Sequence, residues 1–350
     1  MMACRQHHKN TAMSDRFLLY IDILGFTEMV AKDPRKVARV YSILDTLNVH
    51  KHNSFTTIVF SDTILVYNND APTNDYDRKY LVMYLTEFAE DLHDRLIGQD
   101  IYFRATLVAG EFFHYELDHV DCFYGSALIK AHKAEKDIPS LGLFMDNECA
   151  KFNQTFHLTR FNEEFSFVYL NQHLEYLNKH AFGVFPTVFN PPVGDVAPDV
   201  FGQIRFLQHI HDQMRSHPLP HVRSKFLTAW DFHKKRYPQM LRVLEDNQFK
   251  ADSLGASSDW LDLERVHNQN VAYFKRIGSG TQLSMTITGT AKKAAKRSAK
   301  IVVSKPTSAA KPRVARSSVV KSQQKKLAPV TVTSKPKPKS VPKKLSPSKP

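Results

Sequence analysis

The chain has few of the residues that define several protein classes. It contains 3 Cys and 12 Gly among 350 residues, which excludes a disulfide scaffold and a collagen-like fibre. Cys4, Cys122 and Cys149 share no CxxC spacing, so neither a disulfide frame nor a zinc site is indicated. No apolar run approaches the roughly 18 residues of a membrane helix, and residues 1–14 hold no secretory core. We therefore expect a cytoplasmic protein with no membrane partner.

Acidic residues are missing from one long stretch of the chain. Residues 290–350 contain 15 Lys, 3 Arg, 8 Pro and no Asp or Glu, a net charge of +18. The whole chain carries +13, so the preceding residues carry −5, the difference between the two values. Because this stretch also lacks aromatic residues, it cannot bury enough apolar surface to offset the entropy of ordering. We expect a disordered basic tail over residues 277–350, acting either as a solubilising extension or as a nonspecific binder of nucleic acid.

The rest of the chain is patterned as a folded protein. A strand at residues 17–21 ends at Asp22, and Asp33-Pro34 predicts the start of a helix. Two β-rich runs, residues 56–60 and 63–67, are separated only by Ser61-Asp62 and predict a hairpin. Further elements are predicted as a helix at 77–96, a strand at 101–110, a helix at 125–136, and strands at 141–145 and 165–170. This order favours an α+β fold with a ferredoxin-like mixed sheet and helices on one face.

The pattern changes after about residue 172. Residues 180–198 are rich in proline and predict an extended connector. Helical periodicity over residues 199–217, 222–236 and 259–274 predicts a helical extension that packs on the sheet. We expect three regions: a sheet domain at 14–172, the helical extension at 173–276, and the basic tail.

Two carboxylates stand at strand boundaries. Asp22 closes the first strand and Asp62 lies at the hairpin tip, so both are expected at one end of the sheet. Paired carboxylates suit hard divalent cations, which usually also hold substrate phosphates. The turn after Asp22 leads toward a helix and offers backbone N–H groups to phosphate oxygens. Aspartate is also common at turns and caps, so spacing alone leaves a purely structural role open.

Four motifs resemble landmarks of the class III nucleotidyl cyclases. DILGFT, at residues 22–27, resembles the first metal motif of this family, and Ser61-Asp62 resembles the second. RATLVAG, at residues 104–110, is similar to the strand that follows. FYGSAL, at residues 123–128, and the helix that continues to Lys133 resemble the next aromatic-glycine-helix segment. The landmarks occur in the family's order over residues 17–170, about half of the chain.

The resemblance implies the class III cyclase fold and its chemistry. In that chemistry, the 3′-hydroxyl of a nucleoside triphosphate attacks its own α-phosphorus and pyrophosphate leaves. Asp22, Asp62 and the Ile23 carbonyl would hold two Mn²⁺ or Mg²⁺ ions. The backbone of residues 23–26, namely Ile23, Leu24, Gly25 and Phe26, would hold the triphosphate. Because the family builds each site between two such domains, a homodimer with two equivalent sites is expected.

The chain departs from the family at one of the two positions that read a purine base. Ile58 stands where adenylyl and guanylyl cyclases carry Lys or Glu, whereas Cys122, with Asp121 beside it, falls on the second position, which is an Asp or Cys in the family. Because an isoleucine can neither donate nor accept a hydrogen bond from its side chain, ordinary adenine recognition is not expected. These features most resemble the bacterial antiphage pyrimidine cyclases, which make cyclic UMP or cyclic CMP and activate a separate toxic effector. We favour UTP over CTP as substrate.

Three further positions bear on catalysis. The family's transition-state Asn and Arg fall on Ile129 and Lys133, so Lys133 is predicted to supply the positive charge. Ile129 cannot replace an amide, which leaves Lys130 as a candidate stand-in. Arg104 is predicted either to contact the base or phosphate, or to brace a carboxylate. A different hypothesis is a catalytically inactive cyclase-like domain in a nucleic-acid-associated protein that acts through its basic tail.

Overall fold

The computed structural model describes residues 15–181, 196–254 and 260–277. Its strands are β1 (Asp15–Ile23), β2 (Phe55–Phe60), β3 (Thr63–Asn68), β4 (Phe103–Glu111), β5 (Phe113–Glu116), β6 (Asp121–Tyr124), β7 (Gly142–Asp146), β8 (Leu158–Arg160) and β9 (Phe165–Val168). Its helices are α1 (Phe26–Lys32), α2 (Pro34–Asp45), α3 (Asp75–Leu96), α4 (Ser126–Asp137), α5 (Asn147–Ala150), α6 (Gln172–Ala181), α7 (Val196–Ser216), α8 (Pro220–Arg236), α9 (Pro238–Asp246) and α10 (Trp260–Arg276). Most of the predicted connector and almost all of the predicted basic tail lie outside the described residues.

Seven strands form one mixed sheet in the order β2-β3-β1-β4-β7-β9-β8. The first four strands pair antiparallel in the order 2-3-1-4, which is the arrangement of a ferredoxin-like βαββαβ unit. Beyond them, β7 pairs in parallel with β4, and β9 pairs antiparallel with β7. The predicted α+β fold with a ferredoxin-like mixed sheet is confirmed.

Strand β1, which lies between β3 and β4, is apolar on both of its faces. Phe17, Leu19 and Ile21 point into a core that also contains residues of α2 and α3. The alternate residues Leu18 and Tyr20 point into a second core, which is shared with α4, α7 and α8. This alternation follows from the two-residue repeat of a strand. Helices therefore cover both faces of the sheet, and the expectation of helices on one face was wrong.

Small residues explain how α4 lies against the sheet. Ala127, Ala131 and Ala134 are buried at helical spacing and face β1 and β4. Gly125, just before α4, has a φ of 147°, and a Cβ there would come within 2.1 Å of the Glu111 carbonyl oxygen. Only glycine permits this close approach of the start of α4 to the end of β4.

The helices after residue 172 agree with most of the predicted ones. α7, α8 and α10 correspond to the predicted helices at 199–217, 222–236 and 259–274, whereas α6 and α9 were not predicted. An apolar stripe on α7 is buried in the same core as Phe144 and Phe167 of the sheet. It consists of Phe201, Ile204, Leu207 and Ile210. The division into a domain at 14–172 and an extension at 173–276 stays a prediction.

A second, two-stranded sheet was not predicted. β5 and β6 pair antiparallel and are each four residues long. Phe113 and Tyr124 stack across this pair with ring centroids 5.0 Å apart. No helix in the part of the chain that the structure describes combines the length and apolarity needed to cross a membrane.

Candidate active site

Asp22 and Asp62 lie next to each other along the sheet. Asp22 is the penultimate residue of β1 and pairs with Thr63, the first residue of β3. The backbone N–H of Ile23 donates to the carbonyl oxygen of Asp62 at 3.0 Å. Ser61, in the two-residue turn, has a φ of 58°, the left-handed conformation that so tight a reversal often needs. The hairpin thereby brings Asp62 to the end of β1, as the sequence predicts.

Arg104 ties Asp22 to a third carboxylate. It lies opposite Asp22 on β4, and its Nη2 donates to Asp22 Oδ2 at 3.2 Å. The same nitrogen donates to Glu135 at the end of α4, and Nη1 donates to the Ile138 carbonyl oxygen at 2.8 Å. The Arg104 side chain is buried. These contacts match the interpretation that Arg104 braces a carboxylate, while a contact with substrate stays a prediction.

Negative charge accumulates at this end of the sheet. We call Asp22, Asp62, Arg104 and Glu135 the Asp22 cluster. Burial is the largest influence and raises the pKa of Asp22. Arg104 opposes this rise, and the charges of Glu135 and Asp62 add to it. A cation bound at Asp22 would relieve both the desolvation and the repulsion.

The number of carboxylates limits the kind of metal site. Within the described ranges, no group of three or more His, Cys, Asp or Glu side chains is arranged to hold a metal ion. The candidate is therefore a two-carboxylate site with hard oxygen donors. Such a site suits Mg²⁺ or Mn²⁺, since Mg²⁺ usually keeps several waters and is completed by substrate phosphates. The donor chemistry fits the cations that the sequence resemblance implies.

The turn after Asp22 has two amides already in use. Ile23 N–H donates to Asp62, and Leu24 N–H donates to the Tyr102 carbonyl oxygen at 2.9 Å. Gly25 precedes α1 with a φ of 74°, and a Cβ placed there would meet no atom within 4 Å. A phosphate bound at this turn would therefore meet the amides of Gly25 and Phe26 rather than those of Ile23 and Leu24.

The two predicted base-reading residues lie in different sheets. Ile58 lies on β2 opposite Leu65 and packs, half-buried, against the core that contains Tyr20. Cys122 is on β6, opposite Tyr115. Their roles in base recognition stay predictions.

The two lysines proposed on α4 differ in their surroundings. Lys130 Nζ donates to the buried Asp146 at 2.6 Å, so it is held in an ion pair and does not fit the role of a free stand-in. Lys133 is exposed, as is Ile129, whose side chain is 72% exposed. The face of α4 that carries these two residues is open to a partner.

Two residues near the cluster were not predicted from sequence. Glu135 is one position before Lys136 in a charged helix end, and nothing in its spacing distinguishes it from a solvated residue. Lys225 comes from α8 and is close enough to Asp22, Glu135 and Arg104 to be affected by their charges. Only the packing of α8 against the sheet brings it here, and no local sequence pattern contains that information.

No protein-family model matches the chain, and no curated protein matches it. Among solved structures, it is similar to the monomeric guanylyl cyclase domain of the RhoGC fusion protein from the fungus Blastocladiella emersonii. The identity is 16% over 45% of this chain and 95% of that one, with a TM-score of 0.36. The adenylyl cyclase CyaB from P. aeruginosa is 12% identical over 44% of this chain and 93% of that one, with a TM-score of 0.34. The guanylyl cyclase Cya2 is 13% identical over 44% and 91%, with a TM-score of 0.32. At these values the likeness says nothing about activity.

Proposed function

We propose that this protein is a pyrimidine nucleotide cyclase, which converts UTP, or CTP, into the 3′,5′-cyclic nucleotide and pyrophosphate. The observation that carries the proposal is the adjacency of Asp22 and Asp62, fixed by the hydrogen bond from Ile23 N–H to the Asp62 carbonyl at 3.0 Å. Both residues stand in motifs that resemble the metal motifs of the class III cyclases. The motifs therefore name the two residues, and the paired strands place them side by side.

Asp22, Asp62 and the Ile23 carbonyl would hold the divalent cations. When bound, such ions supply activation of the 3′-hydroxyl and neutralisation of charge on the phosphates. Arg104 orients the Asp22 carboxylate, and its own position is fixed by Glu135 and the Ile138 carbonyl. Lys133 would contribute positive charge to the leaving phosphates.

Ile58 and Cys122 would lie against the base, and Ile58 lacks the hydrogen-bonding group of the Lys or Glu that purine cyclases use at its position. An apolar side chain at position 58 offers no hydrogen bond to a purine edge, which argues against a purine substrate. The choice of UTP over CTP rests on the resemblance to the antiphage cyclases. The same resemblance underlies the proposals that the product is a second messenger in antiviral defence and that a separate effector detects it.

The active form is proposed to be a homodimer. Val59 is 43% exposed and Phe60 is 75% exposed, and both directly precede the Ser61-Asp62 turn. Val59 and Phe60 therefore place exposed apolar surface beside Asp62. Ile129 adds exposed apolar surface on α4, the helix that also carries Lys133. A second copy of the chain would cover this surface and complete each site. Phe60→Glu should therefore yield monomers in light scattering and should lower activity, whereas a dimer that persists would contradict this assignment.

The activity test uses the full chain with Mn²⁺ and each of the four ribonucleoside triphosphates in turn. Mass spectrometry would identify any 3′,5′-cyclic product, and Asp62→Ala is the matched negative control. We expect cyclic UMP or cyclic CMP from the native chain and none from the variant. A purine product would keep the fold and the mechanism but refute the interpretation of Ile58. No product from a folded dimer would refute the cyclase and favour the inactive, nucleic-acid-associated alternative.

A further inference from the structure

A cleft opens directly beside the turn that follows Asp22. It has a volume of about 550 Å³. One wall is formed by the Leu24-Gly25 turn and by α1, and the opposite wall by the beginning of α8. The cleft therefore lies between the candidate phosphate-binding turn and the helices that follow the sheet. Lys225, on α8, is part of its lining.

Lys225 differs from the other two lysines of this cleft. Lys32 pairs with Glu28 at 2.6 Å, and Lys36 pairs with Asp100 at 2.7 Å. Among the described residues, the Lys225 ammonium has neither a hydrogen-bond partner nor an ion-pair partner. It is nevertheless half-buried. A partly desolvated ammonium without a partner costs free energy, which a bound anion would offset.

The charges near Lys225 belong to the Asp22 cluster. Burial lowers the pKa of Lys225 most, and Arg104 lowers it further, while Asp22 and Glu135 raise it. Lys225 therefore lies within electrostatic reach of the carboxylates that are proposed to hold cations. A ligand that bridges the two would carry several negative oxygens in a row, as a polyphosphate does.

Neighbouring contacts fix Lys225 relative to the turn. Phe226, the next residue, is buried and meets the Tyr102 ring edge-on, with ring centroids 5.0 Å apart. The carbonyl oxygen of Tyr102 accepts the hydrogen bond from Leu24 N–H at 2.9 Å. The Tyr102 hydroxyl lies 2.5 Å from Nδ1 of His209 on α7. These contacts connect the turn, the sheet and the C-terminal helices, so the packing of Phe226 holds this part of α8 beside the turn.

We propose that Lys225 binds the terminal phosphates of the nucleoside triphosphate in this cleft, so that the C-terminal helices contribute a substrate-binding residue. The inference rests on the proposed function, since it assigns a further residue to the same site. Three carboxylates line the cleft, namely Glu28, Asp33 and Asp100. Among the described residues, Glu28 and Asp100 each pair with a lysine, whereas Asp33 does not. Its charge should weaken phosphate binding, so Asp33→Asn should strengthen it.

The test measures binding without turnover. Inorganic tripolyphosphate is added to the full chain, and the rise in melting temperature is recorded as a function of its concentration. The basic tail also attracts polyphosphate, but ligand bound equally by the folded and unfolded chain does not raise the melting temperature. The rise therefore reports binding to the folded part of the protein.

Lys225→Met is the diagnostic variant, and Lys235→Met is its control. Lys235 is on the same helix, exposed, and outside the cleft. Methionine keeps the aliphatic stem and removes the charge, so both variants should fold. Lys225→Met should need roughly tenfold more tripolyphosphate, or more still, for the same rise, as expected for one lost charge-assisted hydrogen bond. Lys235→Met should behave as the native chain.

Each outcome separates this inference from the cyclase proposal. No rise in the native chain, or an equal rise in Lys225→Met, would overturn the role of Lys225. A rise that depends on Lys225, in a chain that yields no cyclic product from any nucleotide, would refute the cyclase and retain the polyphosphate site. If the chain is an active cyclase, Lys225→Met should raise KM for the triphosphate more than it lowers kcat.

Discussion

The two ends of helix α4 hold two carboxylates of the sheet, the buried Asp146 and the half-buried Asp22, by different sets of contacts. Near its start, Lys130 reaches Asp146, which is completely buried. Asp146 also accepts hydrogen bonds from the backbone N–H groups of Ala109, at 3.1 Å, and Cys149, at 2.8 Å. We call these groups the Asp146 cluster. Near the end of α4, Glu135 reaches Arg104, which in turn holds Asp22 by a single contact at 3.2 Å.

The two carboxylates differ in how fully their oxygens are paired with hydrogen-bond donors. Both oxygens of Asp146 are satisfied by one cation and two amides, as expected for a carboxylate that caps α5 and holds the fold together. Asp22 has one partner, two repelling carboxylates nearby and a raised pKa. Arg104 Nε is also buried without a hydrogen-bond partner in the described part of the chain. An incompletely satisfied carboxylate with an excess of negative charge around it has capacity left for a ligand.

The largest expected effects come from replacing these two carboxylates, one on activity and the other on stability. Asp22→Asn should lower cyclase activity at least roughly a hundredfold, because it removes a proposed cation ligand, and should leave the protein folded. Asp146→Ala should instead lower the free energy of unfolding by about 3 kcal/mol, because it leaves Lys130 and two amides without their partner. Activity assays and urea unfolding of both variants check this contrast.

Either of two results would contradict the contrast between Asp22 as a cation ligand and Asp146 as a structural carboxylate. A stable, active Asp22→Asn protein would remove Asp22 from the site. A stable Asp146→Ala protein would show that its three hydrogen bonds contribute little to the fold.

The core beneath the C-terminal helices predicts a pH dependence of stability. Burial lowers the pKa of His93 to about 4 and that of His233 to about 4. In the unfolded chain both histidines take up a proton near pH 6.5. Their contribution to the free energy of unfolding is therefore fully present above pH 6.5 and is lost as the pH falls from 6.5 to 4. The slope should be roughly 1.4 kcal/mol per pH unit for each histidine. Urea unfolding across this range measures it.

The variant His233→Gln tests whether this histidine causes part of the pH dependence of stability. His233→Gln keeps a polar side chain near Ala229 and Asn171, its present hydrogen-bond partners, and removes the titrating group. Its unfolding free energy should decline about half as steeply between pH 6.5 and 4. An unchanged slope would mean that other groups cause the acid sensitivity.

The smallest expected effect concerns the two lysines of α4. Lys130→Met should lower the free energy of unfolding by about 2 kcal/mol, because the buried Asp146 loses its counter-charge while keeping its two amides. Lys133→Met should change stability by less than about 0.5 kcal/mol, since the residue is exposed. If Lys133 supplies charge to the leaving phosphates, its loss should lower kcat. Thermal unfolding and initial rates, measured side by side, distinguish the two lysines.

The sheet could be predicted because its signals are local. The hairpin around Ser61-Asp62 and the uninterrupted apolar run at residues 17–21 are both visible in the sequence. The hairpin requires an antiparallel pair of strands, whereas the covering of both faces of β1 by helices was not predicted. Asp22 and Asp62 could be predicted because one stands at a strand end and the other at a hairpin tip, which places both at one end of the sheet.

The rest of the site depends on contacts between distant residues. Glu135 reaches Arg104 only because three alanines let α4 lie close to the sheet, and Lys225 reaches the cleft only because Phe226 packs on Tyr102. His209 and His211, which lie in a polar stretch of sequence, are partly buried against Tyr102 and Trp230. Helix packing, rather than any short motif, decides these positions.

The central claim is that the Asp22 cluster binds divalent cations, and Mn²⁺ binding tests it most directly. Electron paramagnetic resonance would count the free Mn²⁺ left in solution as the full chain is titrated, with Asp22→Asn, Asp62→Asn and the exposed Asp262→Asn compared. The account predicts that binding by the native chain is lost in the first two variants and kept in the third. Equal Mn²⁺ binding by all four proteins would contradict it.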